Sequence, residues 1–247
     1  MNRFKILIPF LMVVLLPGFV LAEGNTTGDS FNKAKKTLFN RIYHDHRFTF
    51  YCDCPFDQSK RIIPSDLFSL REKLKRSGKV ECEHVVPVHA FGQFFKEWRE
   101  GDAQCVDPKG RAFKGRGCAS KVSMEYRYME SDMYNLVPAI GKINGDRSNS
   151  EFGEIPGEKR EYGKCDFEVN GGTSEPAPEI RGDIARIYFY MEWAYPGRGI
   201  LSKKKRKLFE AWDRQDPVDA WECERCQRIE RIQGNENPVV KIRCKKK

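Results

Sequence analysis

Residues 81–92 read Glu-Cys-Glu-His-Val-Val-Pro-Val-His-Ala-Phe-Gly. Two of the four histidines of the chain fall in this stretch, and His84 follows a carboxylate, Glu83, at the mouth of the apolar run Val85-Val86-Pro87. The pattern predicts a short strand over Lys79 to Val86 that carries an imidazole close to its end. A lone Glu-His pair is ordinarily a surface feature, so its meaning depends on a partner elsewhere in the chain.

The partner is sought in residues 129–149, Met-Glu-Ser-Asp-Met-Tyr-Asn-Leu-Val-Pro-Ala-Ile-Gly-Lys-Ile-Asn-Gly-Asp-Arg-Ser-Asn. The stretch is polar where a core should be apolar, and it gathers metal-liking oxygens and one arginine. A strand ending at Pro138 and a short helix after it would set Asn144 and Arg147 on nearby faces, three residues apart. Strand, excursion, strand and helix would then carry a histidine at one end and an asparagine at the other. Phosphodiester hydrolysis needs such parts. A neutral imidazole takes a proton from water. Carboxylate and amide oxygens hold a hard divalent ion that stabilises the phosphorane and the leaving oxygen. An arginine fork grips the phosphate.

The rest of the chain sets the context. With 247 residues, 40% of them hydrophobic, one substantial core and one domain are the economical expectation. A basic start (Arg3, Lys5), an apolar run to Val20 and the small-residue site Val20-Leu21-Ala22 predict a signal peptide over residues 1–22. The run is too short for a membrane anchor, and no second hydrophobic span follows. Removing it lowers the formal net charge from +9 to +7, so the exported protein stays basic and is drawn to polyanions, nucleic acid first. Nine cysteines in an exported chain point to disulfides. The pairs Cys52-Asp53-Cys54 and Cys223-Glu224-Arg225-Cys226 lack the flanking histidines or the strand-to-helix setting of zinc or redox sites.

Helices are expected over Phe31 to Tyr43, Asp66 to Lys75, Arg181 to Tyr195, from a Ser202 cap to Asp216-Pro217, and over Val218 to Gln233. Further strands are expected over Phe48 to Cys52 and Tyr134 to Val137. Ser148 to Glu179, rich in Gly, Pro and Asn, reads as a long loop.

Glu-His-Val-Val-Pro, the Glu-Ser-Asp-Met-x-Asn-Leu-x-Pro block and Asn-Gly-Asp-Arg-Ser-Asn together resemble the bacterial endonuclease I family. Further landmarks are Tyr51-Cys52-Asp53-Cys54, Tyr162-Gly163-Lys164-Cys165, Arg181-Gly182-Asp183-Ile184-Ala185-Arg186, Trp221-Glu222-Cys223-Glu224-Arg225 and Gln233-Gly234-Asn235-Glu236-Asn237-Pro238. The resemblance covers residues 30 to 244 and implies an α+β fold: a mainly helical single domain around a small ββα-metal motif, stapled by disulfides. It implies a periplasmic or secreted, sequence-nonspecific nuclease acting on DNA, with RNA as a further substrate class, and leaving 5′-phosphate and 3′-hydroxyl ends. In that pattern His84 is the general base, and Glu83 and Asn144 hold Mg²⁺ or another divalent ion such as Mn²⁺ or Ca²⁺. Glu130 is a further active-site carboxylate. Arg116 contacts phosphate, with Arg111 as the alternative. His89 is not catalytic in the family and is expected to be a packed or surface residue. A monomer free of the membrane after processing is expected. The competing reading is an exported nucleic-acid binder without catalysis.

The resemblance also pairs Cys105 with Cys118 and Cys223 with Cys244, and gives Cys165 to one of Cys52 and Cys54. In the family the other pairs with a cysteine before the Glu-His strand, yet residues 55–81 hold none. Cys82 is expected to replace it, which leaves Cys226 as the free thiol. The alternative is a Cys82–Cys226 bridge with Cys52 or Cys54 unpaired.

Overall fold

Five residues, Val80–His84, form strand β1, and their burial alternates loosely because side chains leave a strand on opposite faces. A computed structural model describes residues 24–69, 76–157 and 159–245 of the chain. β1 pairs antiparallel with β2 (Leu136–Ile140) in a register that sets His84 opposite Leu136 and Cys82 opposite Pro138. β2 is buried along its whole length, and helix α6 (Gly141–Arg147) follows it without a linker and packs on both strands. Gly141 is required where α6 meets β1, since a Cβ there would lie 2.9 Å from the Arg76 carbonyl oxygen and 2.7 Å from Glu81 Oε1.

The expected strand over Phe48 to Cys52 is absent. Turns occupy that segment, and the Phe50 N–H instead donates to the Pro138 carbonyl at 2.8 Å, on the edge of β2. β2 itself runs past Pro138 to Ile140, and a single 3₁₀ turn (Met133–Asn135) replaces its expected start. The excursion between the two strands is helical: α2 (Val88–Gly92), α3 (Lys96–Arg99), α4 (Arg116–Val122) and α5 (Met124–Glu130). Residues 148–179 are not simply a loop. β3 (Glu151–Phe152), β4 (Phe167–Asn170) and β5 (Thr173–Pro176) make a small mixed sheet in the order β3-β5-β4.

The amphipathic helices at the C-terminal end appear nearly as expected. α7 (Arg181–Ala194) is the main core helix, and Ser202 accepts from the Lys205 N–H to start α8 (Lys203–Gln215). α9 (Ala220–Gln233) begins two residues later than expected because Asp219 caps it, and Gly234 at φ 90° ends it. α10 (Pro238–Cys244) closes the chain. At the other end, α1 (Phe31–Thr37) continues into a π-helical turn at Leu38–Ile42. Its inner face buries Ala34, Leu38, Ile42 and Tyr43, whereas Phe31 and Phe39 stay half-buried and look outward. Most of the expected helix Asp66 to Lys75, and the expected signal peptide, lie outside the described residues; Asp66 to Ser69 is not helical.

One core cluster joins all these elements, and among the described residues no helix is long and apolar enough to cross a membrane. The helical bundle holds the hairpin in place. Arg225 of α9 donates from Nη2 to the carbonyls of Met133, Tyr134 and Leu136 at 3.1, 2.9 and 3.0 Å, fixing the entry to β2.

Among the described residues three disulfides are present: Cys52–Cys165, Cys105–Cys118 and Cys223–Cys244. Cys226 is free, as expected, but the expected bridge from Cys82 to the spare member of the Cys52/Cys54 pair is not formed, nor is Cys82–Cys226. Cys54 is buried in a turn that docks on β2, with its thiol directed at the Cys52 carbonyl at 3.5 Å. Cys82 faces the other way, into a cleft beside α1. Burial pushes the thiols of Cys54 and Cys226 up to about 11 and raises that of Cys82 as well. The native protein should therefore resist alkylation at neutral pH, since the thiolate is the nucleophile. Unfolding without reduction should expose Cys54, Cys82 and Cys226 together to the reagent. A label on Cys226 alone would show a closed Cys54–Cys82 bridge and contradict this arrangement.

Candidate active site

The alternation of β1 sorts its functional side chains. Glu81 and Glu83 meet α6, while His84 meets α1 and α5 and Cys82 meets α1. His84 is buried, with its ring 4.7 Å from that of Phe31 and Nε2 2.8 Å from the Glu130 carbonyl oxygen. A carbonyl only accepts, so Nε2 carries the hydrogen and Nδ1 keeps the lone pair. Burial, with lesser repulsion from Arg116, Arg147 and Lys35, pushes the imidazole down to about 3 and keeps it neutral. It is a base with an assigned tautomer.

Glu130 reaches His84 through its backbone only. Its carboxylate accepts from Arg116 Nε at 2.6 Å and from Ser120 Oγ at 2.9 Å. Arg116 opens α4 and is half exposed, with its guanidinium over the Phe31 ring at 5.3 Å. Arg111 lies elsewhere, on the exposed loop closed by Cys105–Cys118, where it pairs with Asp107 at 2.7 Å. Of the two arginines, Arg116 is the one beside the histidine.

Glu83 is buried between Arg147 Nη1 at 3.1 Å and the Tyr51 hydroxyl at 3.4 Å. Burial pushes its carboxyl up to about 7, against the pull of Arg147. Asn144 directs Nδ2 to Glu81 at 3.0 Å rather than toward Glu83, and Glu81 is also held by both nitrogens of the Arg76 fork. The amide oxygen of Asn144 is the end not used in that bond. Among the described residues no three His, Cys, Asp or Glu side chains converge on one point. A buried carboxylate that burial alone leaves poorly ionised, with an amide oxygen on the neighbouring helix, fits a hard divalent ion that retains most of its water. Mg²⁺ binds proteins in that way.

Other residues singled out in the sequence are scaffolding. Arg147 is fully buried, and besides Glu83 it donates to the His84 and Val85 carbonyls at 2.9 and 2.6 Å, so it cannot reach a phosphate. It ties the end of β1 to α6. Asp132 accepts from Tyr190 and Tyr195, both at 2.7 Å, and from Gln233 at 2.8 Å. Asn135 exchanges two bonds with the Val86 backbone at 2.7 and 2.9 Å, extending the hairpin ladder just beyond His84. The oxygens of this block that looked like ligands thus hold the fold. His89 is exposed, with Gln93 and Trp98 as neighbours, in keeping with a non-catalytic role. Sequence patterns give no role to Tyr51 or Glu81, and only their placement opposite Glu83 and Asn144 reveals them.

The family model for endonuclease I matches residues 30–244. The chain belongs to the endonuclease I family. It is therefore an endonuclease. It is similar to an "Extracellular deoxyribonuclease" of Aeromonas hydrophila, 41% identical over 223 residues (87% of this chain and 90% of the relative). A "Periplasmic deoxyribonuclease" of the same organism is 40% identical over 222 residues, covering 87% of this chain and 86% of the relative. "Endonuclease-1" of Buchnera aphidicola subsp. Acyrthosiphon pisum (strain APS) is 38% identical over 228 residues, 90% of this chain and 84% of the relative.

Proposed function

We propose that this member of the endonuclease I family is a metal-dependent, sequence-nonspecific nuclease that hydrolyses DNA as a monomer in the periplasm or outside the cell, after loss of residues 1–22. The observation that carries the chemistry is the orientation of His84. With Nε2–H held by the Glu130 carbonyl, Nδ1 is the nitrogen that takes a proton from the attacking water. Arg116, aligned by Glu130, grips a non-bridging phosphate oxygen. Glu83 and the Asn144 amide oxygen hold the divalent ion, Mg²⁺ first. When bound, that ion supplies positive charge to the phosphorane and to the departing 3′ oxygen. The products carry 5′-phosphate and 3′-hydroxyl ends. Extracellular and periplasmic relatives support export, and a basic chain suited to phosphate contacts supports indifference to sequence.

Digestion of plasmid, single-stranded DNA and RNA by the purified protein across several divalent ions tests the reading. Plasmid breakdown into a smear, abolished by EDTA, is expected, and the RNA arm ranks the second substrate class. Binding without cleavage in every metal would leave a nucleic-acid binder instead.

The ligand assignment has its own test. Asn144→Ala and Glu83→Gln should raise the Mg²⁺ needed for half-maximal rate, by at least the roughly 10–100-fold that loss of an outer-shell partner costs. Excess Mg²⁺ should restore part of the activity. Unchanged metal dependence in both variants would remove the two residues as ligands.

A further inference from the structure

A cleft of about 730 Å³ opens on the α1 side of β1, walled by Phe31, Lys35, Lys36 and Phe39 and closed opposite by Lys60 and Cys82. We propose that this cleft is the bed of a nucleic-acid strand next to the scissile phosphate, its backbone phosphates held by Lys35, Lys36 and Lys60. The proposal rests on the nuclease reading and extends it to residues outside the catalytic group.

Four observations converge on this use. The first is continuity. Phe31 belongs to both places, with one ring against His84 at 4.7 Å, under Arg116 at 5.3 Å, and under Lys35 Nζ at 4.7 Å. A chain leaving the reacting phosphate along α1 enters the cleft directly. The second is the posture of the cations. Lys35 lies over Phe31, and Lys60 lies over Phe39 at 5.0 Å, so aromatic faces hold ammonium groups at the walls of a concavity. Lysines on an ordinary solvated helix face have no such support. The third is charge. The carboxylate that lines the cleft, Glu81, is already engaged by Arg76 and Asn144, and none of the three lysines takes part in an ion pair among the described residues.

The fourth is contrast. Another large cleft beside the hairpin is lined by Asp53, Asp166, Glu179 and Asp219 against Lys164, and it would repel a polyanion. Size agrees as well. Phe31 and Phe39 are eight residues apart, about 12 Å along a helix. A DNA strand advances about 3.4 Å per nucleotide, so the bed spans roughly three nucleotide steps.

Anisotropy of a labelled DNA duplex titrated with the full chain in EDTA tests the proposal without cleavage. For the double variant Lys35→Gln/Lys60→Gln, affinity should fall about tenfold at moderate salt. The slope of log affinity against log salt should shrink by roughly two, at about 0.9 for each phosphate that is no longer neutralised. In Mg²⁺ the loss should fall mainly on KM for long DNA. Lys203→Gln/Lys207→Gln on α8 removes equal charge and should change the slope little. An unchanged slope in the cleft variant, or an equal change in the α8 variant, would overturn the proposal. Failure of the nuclease reading looks different, because the parent protein would then bind the duplex but leave it uncut in Mg²⁺.

Discussion

Replacing His84 with alanine is expected to lower kcat on plasmid DNA by about 10²–10⁴-fold, the range for loss of a positioned general base. Mg²⁺ dependence should be nearly unchanged, because Glu83 and Asn144 remain. The expectation rests on three facts that act together. The ring is neutral at physiological pH because it is buried. Its tautomer is set by a backbone carbonyl, which no side-chain substitution at Glu130 removes. Its plane is held by Phe31. His84→Ala leaves a ring-sized space in this wall, so added imidazole should recover part of the rate. Glu130→Gln provides the contrast. It keeps the carbonyl and therefore the base, but it weakens the charged bond to Arg116, so its loss should be smaller and imidazole should not repair it. Steady-state rates with melting curves as a folding check decide the matter. A His84→Ala protein that folds and cuts at near wild-type rate would remove the imidazole from the mechanism.

The parts of this site that are legible in the sequence are those whose signal is local. Glu83-His84 at a strand end and Asn144 on the helix after β2 sit within a few residues of the features that define them, and β1, β2 and α6 follow the expected order. The errors are long-range. Periodicity places Phe31 and Phe39 with Leu38 and Ile42 on one apolar face. It cannot show that the first two face His84 and a cleft while the others enter the core. The polar block at 130–135 suggests ligands, yet Asp132 and Asn135 spend their oxygens and amide on Tyr190, Tyr195, Gln233 and the Val86 backbone, partners far away in sequence. The strands at 151–176 are two to four residues long and pair across Gly- and Pro-rich turns, so no window of alternation is long enough to reveal them. Disulfide partners are non-local in the same way. Along the chain Cys82 is the nearest substitute for the family cysteine missing before β1, but the strand points that thiol toward α1.

Arg186→Met is expected to be the most damaging single change to stability outside the site, at about 3–5 kcal/mol. In α7 the side chain is wholly buried, and it donates to Glu222 at 2.7 Å, Asp183 at 2.8 Å, Asp213 at 3.0 Å and the Asp216 carbonyl at 2.7 Å. One guanidinium thus serves three carboxylates from α7, α8 and α9. Burial and the charge of Glu222 raise Asp183 well above the usual carboxylate range, against the pull of Arg186. Without the arginine, Asp183 loses the counterion that opposes this rise, and its folded-state value goes up further. For such groups stability is fully present below the unfolded value near 4 and falls as pH rises through the raised folded value. The variant should therefore lose less at pH 5 than at pH 8. At neutral pH the melting temperature should drop by roughly 6–20 °C, at about 2–4 °C per kcal/mol for a chain of this size. Arg186→Lys keeps the charge but not the planar fork, and it should fall between the two. The same junction carries α9, whose Arg225 grips the entry to β2, the strand that sets His84 in register. Activity of the variant should accordingly fail at a lower temperature than in the parent while kcat at low temperature is kept. Equal melting temperatures for Arg186→Met and the parent across this pH range would show that the cluster contributes no net stability.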